Sequence, residues 1–159
     1  MTVVVAAVLL VGCEGPHVWD FQVLMPKDAD LVGTYKIARF HGDVDNIGDF
    51  SRKDPIQIVL NADHTTQVSG FPEFDVLADG VLCRITELGT WELGRGPEPQ
   101  VQFHMKSVPK VNPADSFSGR HCTPVFDLSI VGHITPYRLY WSFGGPDVDR
   151  GIEFERVAR

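Results

Sequence analysis

After about residue 30 the chain alternates apolar and polar positions with a period of two. In LVGTYKIARF, Leu31, Gly33, Tyr35 and Ile37 share one face; in PIQIVLN, Ile56, Ile58 and Leu60 share a face with Gln57 opposite. Asn61 to His64 (NADH) is turn chemistry, and TTQVSG returns from it, which predicts a hairpin. LGTWEL sets Gly89, Trp91 and Leu93 against Thr90 and Glu92, and VQFHMK sets Val101, Phe103 and Met105 against Gln102, His104 and Lys106. VFDLSI, YRLYWSF and GIEFERV repeat the rule: Leu139, Trp141, Ile152 and Phe154 fall on the apolar side, Arg138, Tyr140, Ser142, Glu153 and Glu155 on the wet side.

Between these segments lie GRGPEP, VPKVNPADSFSG and GGPDVDRG, rich in helix breakers, and no window holds a 3.6-residue period. The chain therefore reads as all-β. Eight sequential strands with short turns and one wet face predict an antiparallel up-and-down β-barrel over residues 31–159, because closure removes the exposed edges that an open sheet would leave. A two-sheet sandwich is the alternative, since periodicity does not report closure.

The front of the chain is different. Thr2 to Gly12 carries no charge and is mostly Val, Ala and Leu, then stops at Gly12-Cys13-Glu14. The run is too short to cross a bilayer, which takes roughly 20 apolar residues. Its length and polar exit predict an export signal over 1–12, with 13–30, broken by Pro16 and Pro26, as a tether. A buried first strand is the other reading of the same letters.

LVGC, Leu10 to Cys13, resembles the lipobox of bacterial lipoproteins. The resemblance implies that the Cys13 thiol is diacylated, that the chain is cut before it, and that the domain sits in the cell envelope, outside the cytoplasm and anchored to a membrane by lipid such as palmitate. Two or three acyl chains hold a protein firmly where one does not. Setting Cys13 aside leaves Cys83 and Cys122, and export would place them where disulfides persist, so a Cys83–Cys122 bond is expected, with two buried free thiols as the alternative. Closing a loop of about 40 residues would stabilise by roughly 4 kcal/mol on a chain-entropy account.

The opening of the first strand, LVGTY, is similar to the glycine-x-aromatic start of lipocalin-like barrels, and the last strand ends in Arg156 as theirs often does. That resemblance implies an aromatic ring, here Tyr35, plugging one barrel end under the late arginine. Parity puts Arg156 on the side of Ile152 and Phe154. The layout of lipobox, GTY, LNAD, GTW and closing IEFERV also resembles small bacterial lipoproteins.

Composition changes the picture mainly by exclusion. The formal charge is −7, with 14 Lys and Arg against 21 Asp and Glu and no basic cluster, which argues against nucleic acid. The six histidines, at 17, 41, 64, 104, 121 and 133, form no i,i+2 or i,i+4 pair, so no metal site is expected. No nucleophile elbow, zinc-protease helix or phosphate loop appears, and no catalytic residue or cofactor is assigned. What remains is the barrel: a monomeric module taking a small apolar or amphiphilic ligand near Trp91, Tyr137 and Trp141, or a protein-interaction module, such as an enzyme inhibitor, with a filled core and working loops.

Overall fold

The computed structural model describes residues 24–42, 55–75, 80–94, 98–107, 125–142 and 150–157, with the backbone alone at 73–75 and 80–83. One helical turn, α1 (Asp28–Leu31), precedes eight strands: β1 (Gly33–His41), β2 (Gln57–Leu60), β3 (Thr65–Asp75), β4 (Gly80–Gly94), β5 (Gln100–Met105), β6 (Val125–Val131), β7 (Arg138–Ser142) and β8 (Gly151–Arg156). Each strand pairs antiparallel with the next, and β8 pairs with β1 to close the barrel. The expected up-and-down barrel is the fold, and the sandwich is not.

The closing seam runs from Tyr35 opposite Arg156 to His41 opposite Gly151, with an irregularity between Ile37 and Arg39. Strand directions put α1, the turn at 61–64, the β4–β5 connection and the 132–137 connection at one end, called here the capped end. At the other end β1–β2, β3–β4, β5–β6 and β7–β8 are joined by segments largely outside the described residues.

Inward positions carry the apolar face that the alternation predicts: Tyr35, Ile58, Leu60, Val68, Val101 and Leu139 are fully buried. Eight strands enclose a width that side chains can fill. Here rings do much of the filling. Phe126 stacks on Phe71 and Phe103 with centroids 4.6 Å away in each case, and Trp141 tilts onto Phe71 at 4.6 Å. Each such pair contributes about 0.5–1.5 kcal/mol beyond the area it buries.

Two features depart from the alternation. β3 and β4 run on through 71–75 and 80–87, where Gly70 (φ 64°) and Pro72 obscure any strand signature; register shifts between Val68 and Phe71 and between Glu73 and Phe74 absorb them. Tyr140 and Glu153, expected on the wet side, are buried, as is His41. They lie apart from the inner core as a polar cluster. His41 Nε2 is 3.0 Å from Glu153 Oε2, Arg138 donates to the other carboxylate oxygen, and the His41 ring meets Tyr140 edge-on at 5.4 Å. A buried carboxylate persists only when paired, and Glu153 is paired on both oxygens.

Candidate functional site at the capped end

The capped end is built from backbone carbonyls and four side chains that reach them. α1 is too short to be stable alone. It is pinned from both directions: the Lys27 amide donates to Asp30 Oδ2 at 3.3 Å and the Asp30 amide to the Lys27 carbonyl at 2.9 Å. From below, the Tyr35 hydroxyl donates to the Leu31 carbonyl at 2.8 Å. Arg156 Nη1 donates to the carbonyls of Asp30, at 2.9 Å, and Val32, at 3.4 Å. These bonds satisfy carbonyls that a single helical turn leaves open.

Gly33 explains the start of the strand. A Cβ there would lie 2.6 Å from Arg156 Cδ and 3.0 Å from Cγ, so the missing side chain is what lets the arginine stem cross the β1 backbone. Burial pushes the Tyr35 phenol up to about 12, with the neighbouring Arg156 charge working weakly the other way. Tyr35 therefore stays a neutral hydrogen-bond donor throughout the physiological range.

The 61–64 turn joins α1 to the barrel. His64 sits at φ 62°, a left-handed conformation that turn residues adopt more readily than strand residues. Its ring stacks on Trp91 with centroids 4.9 Å apart, Nδ1 faces the Trp91 carbonyl at 3.2 Å, and Nε2 faces Asp28 Oδ2 at 3.3 Å. Both ring nitrogens thus meet oxygen acceptors, and the doubly protonated ring can donate to both. The Thr65 hydroxyl and amide donate to Asp63 and hold its exposed carboxyl below the usual range. Trp91 is closed in turn, its indole N–H donating to the Asn61 carbonyl at 3.0 Å.

Against this end lies a half-open groove of about 590 Å³ between α1, the 132–137 connection and the end of β8. Ala29, Val32, Ala62, Pro136 and Val157 make it mostly apolar, and Arg156 is the one charged residue among its described lining residues. A second depression of about 400 Å³ shares Val32, Ala62 and Val157 with it and continues onto the outer face of β1 and β2 past Lys36. With Nη1 occupied, the remaining Arg156 N–H groups meet no acceptor among the described residues. The volume lies in the range of small-molecule sites.

The residues singled out from the sequence fare unevenly. β1 and β8 set Tyr35 opposite Arg156 at the capped end. Trp91 is 1% exposed and takes part in the core and the turn. Tyr137 is buried at the capped end, whereas Trp141 lies four residues further along, roughly 13 Å away, half-buried against Phe71. None of the three is among the described lining residues of the two grooves above. Cys13 and Cys122 lie outside the described residues; Cys83 is on β4 opposite Glu73. Sequence reading passed over Leu31, Gly33, Asp28 and His64 as members of a site. Only Gly33 carried a signal, within the GTY motif.

Among the described residues, no group of three or more His, Cys, Asp or Glu side chains is placed to hold a metal ion, and no helix is long and apolar enough to cross a membrane. Comparisons with family models, with curated proteins and with solved structures returned no match.

Proposed function

We propose that this chain is a lipoprotein, tethered to a membrane outside the cytoplasm through acylated Cys13, whose barrel is a rigid scaffold for binding one small amphiphilic molecule. The observation that carries the binding reading is the capped-end groove, apolar along its walls with Arg156 as a charged side chain in its lining. The site lies at the capped end rather than at the Trp91, Tyr137 and Trp141 positions expected from the sequence, none of which lines the groove. A tail would lie along Ala29, Val32, Pro136 and Val157, and an anionic head such as a carboxylate would meet Arg156.

Native mass spectrometry of the purified chain with laurate, and with dodecanol as the uncharged comparison, tests this. A one-to-one laurate adduct is expected, weakened in Arg156→Lys and lost in Ala29→Trp, which fills the groove. Bare protein in every spectrum defeats the binding reading. Intact mass on the same sample reads acylation at Cys13, and alkylation without reductant reads the Cys83–Cys122 bond.

A second reading is a protein-interaction module. The ring-packed core favours it, since a filled barrel serves as a frame for its loops. Partner capture that survives Ala29→Trp would select this reading over the first.

A further inference from the structure

We infer that the capped end of the barrel faces the bilayer and dips apolar side chains into its surface. The inference rests on the anchoring reading above but goes beyond it, because a tether fixes proximity and leaves orientation open. Leu24 follows Cys13 by eleven positions, a span of at most about 40 Å when extended, so an anchored chain reaches the barrel at this end first.

Orientation comes from where apolar surface is left bare. Six large hydrophobic residues are exposed among those described, and four of them belong to the capped end: Leu24 at 77%, Met25 at 47%, Ile134 at 80% and Val157 at 38%. They come from three separate pieces of chain: the lead-in to α1, the 132–137 connection, and the residue after β8. The other two, Leu88 and Val125, are on the wall strands β4 and β6. Ile134 stands at the tip of a connection whose Pro136 lines the groove together with Ala29, Arg156 and Val157.

The occupant this end fits is a lipid surface in which apolar insertion, rather than charge, provides the contact. Among the described residues at this end, Lys27 and Arg156 are matched by Asp28 and Asp63, so those residues offer no excess of positive charge for anionic headgroups. Side chains of this type at the interface bury their methyl groups just below the headgroups. The groove mouth then opens toward the same surface, and an amphiphile would pass between bilayer and groove without crossing open water.

The test uses the full acylated chain reconstituted in phosphatidylcholine vesicles, with an environment-sensitive fluorophore on Ile134→Cys or on Leu88→Cys and the wild-type chain carried through labelling as the blank. Both positions are exposed, so neither substitution disturbs the core. Brominated phosphatidylcholine is expected to quench the residue 134 probe several-fold more strongly than the residue 88 probe, with little change on raising salt. Equal quenching at both, or stronger quenching at residue 88, in a chain that is acylated and floats with the vesicles overturns this orientation while leaving the anchor in place. A chain that carries no acyl group and does not float overturns the anchoring reading, and the orientation falls with it.

Discussion

Tyr35 ties its stability contribution to pH in a way that can be worked through. Its phenol is fully buried, donates to the Leu31 carbonyl, and is pushed from 10.0 up to about 12, mainly by burial. A folded-state value above the unfolded one means that the neutral form is preferred in the fold. That preference is present in full below pH 10 and is lost as pH rises through 12. Two units at 1.36 kcal/mol each amount to about 2.7 kcal/mol in all, of which about 1.4 kcal/mol is gone by pH 11. Tyr35→Phe removes the titrating group and, by leaving a buried carbonyl without its donor, costs about 1–3 kcal/mol at neutral pH. The observable is the stability gap between wild type and Tyr35→Phe in urea unfolding, because every other titrating group cancels in the difference. The gap should be constant between pH 7 and 9 and shrink by about 1.4 kcal/mol at pH 11. A gap that is unchanged at pH 11 would show that the phenol ionises as readily in the fold as out of it, and the account of the capped end as a dry plug would be wrong.

Other substitutions separate structural roles. Glu153→Ala should cost roughly 3 kcal/mol by leaving His41 and Arg138 facing each other without their carboxylate, whereas Arg138→Ala should cost about 1 kcal/mol or less because the arginine is 40% exposed; urea midpoints in the reverse order would refute the buried-pair argument. Gly89→Ala should destabilise by about 1–3 kcal/mol, since its Cβ would run into the His104 backbone carbonyl, and Gly94→Ala by about 0.5 kcal/mol or less, since there the Cβ meets only the movable Gln102 side chain. Thermal melts of the two glycine variants that coincide would show that the β5 backbone yields as easily as a side chain.

The strands were legible where period-two alternation was clean, because one face must be buried and the other solvated. That logic placed the inward residues of β5 to β7 and the hairpin at Asn61–His64. It failed at Gly70 and Pro72, where register shifts break the period while the strand continues. It failed differently at Glu153 and Tyr140, whose outward parity is right but whose burial comes from charge pairing and ring contact beyond the strand. Trp91, Tyr137 and Trp141 were grouped near one ligand position by strand spacing, and such spacing carries no depth. Trp91 is instead spent on a turn carbonyl. The capped end was the least legible part, since its partners are the main-chain oxygens of Asp30, Leu31 and Val32, and any residue supplies a carbonyl.

Arg156 links the cap to the groove, and its chemistry explains why lysine would not serve. One nitrogen of its planar guanidinium holds two carbonyls of the α1 segment while the stem lies in the gap left by Gly33. The same side chain lines the groove. A lysine ammonium is a single point with rotatable donors, so it can satisfy the Asp30 and Val32 carbonyls or an incoming anion, and meeting both would pull it between them. The cap and the groove thus share one side chain: what fixes α1 over Tyr35 also fixes Arg156 in the groove lining. A packed barrel beneath it suits such an arrangement, because a side chain keeps its place only where its surroundings do not move.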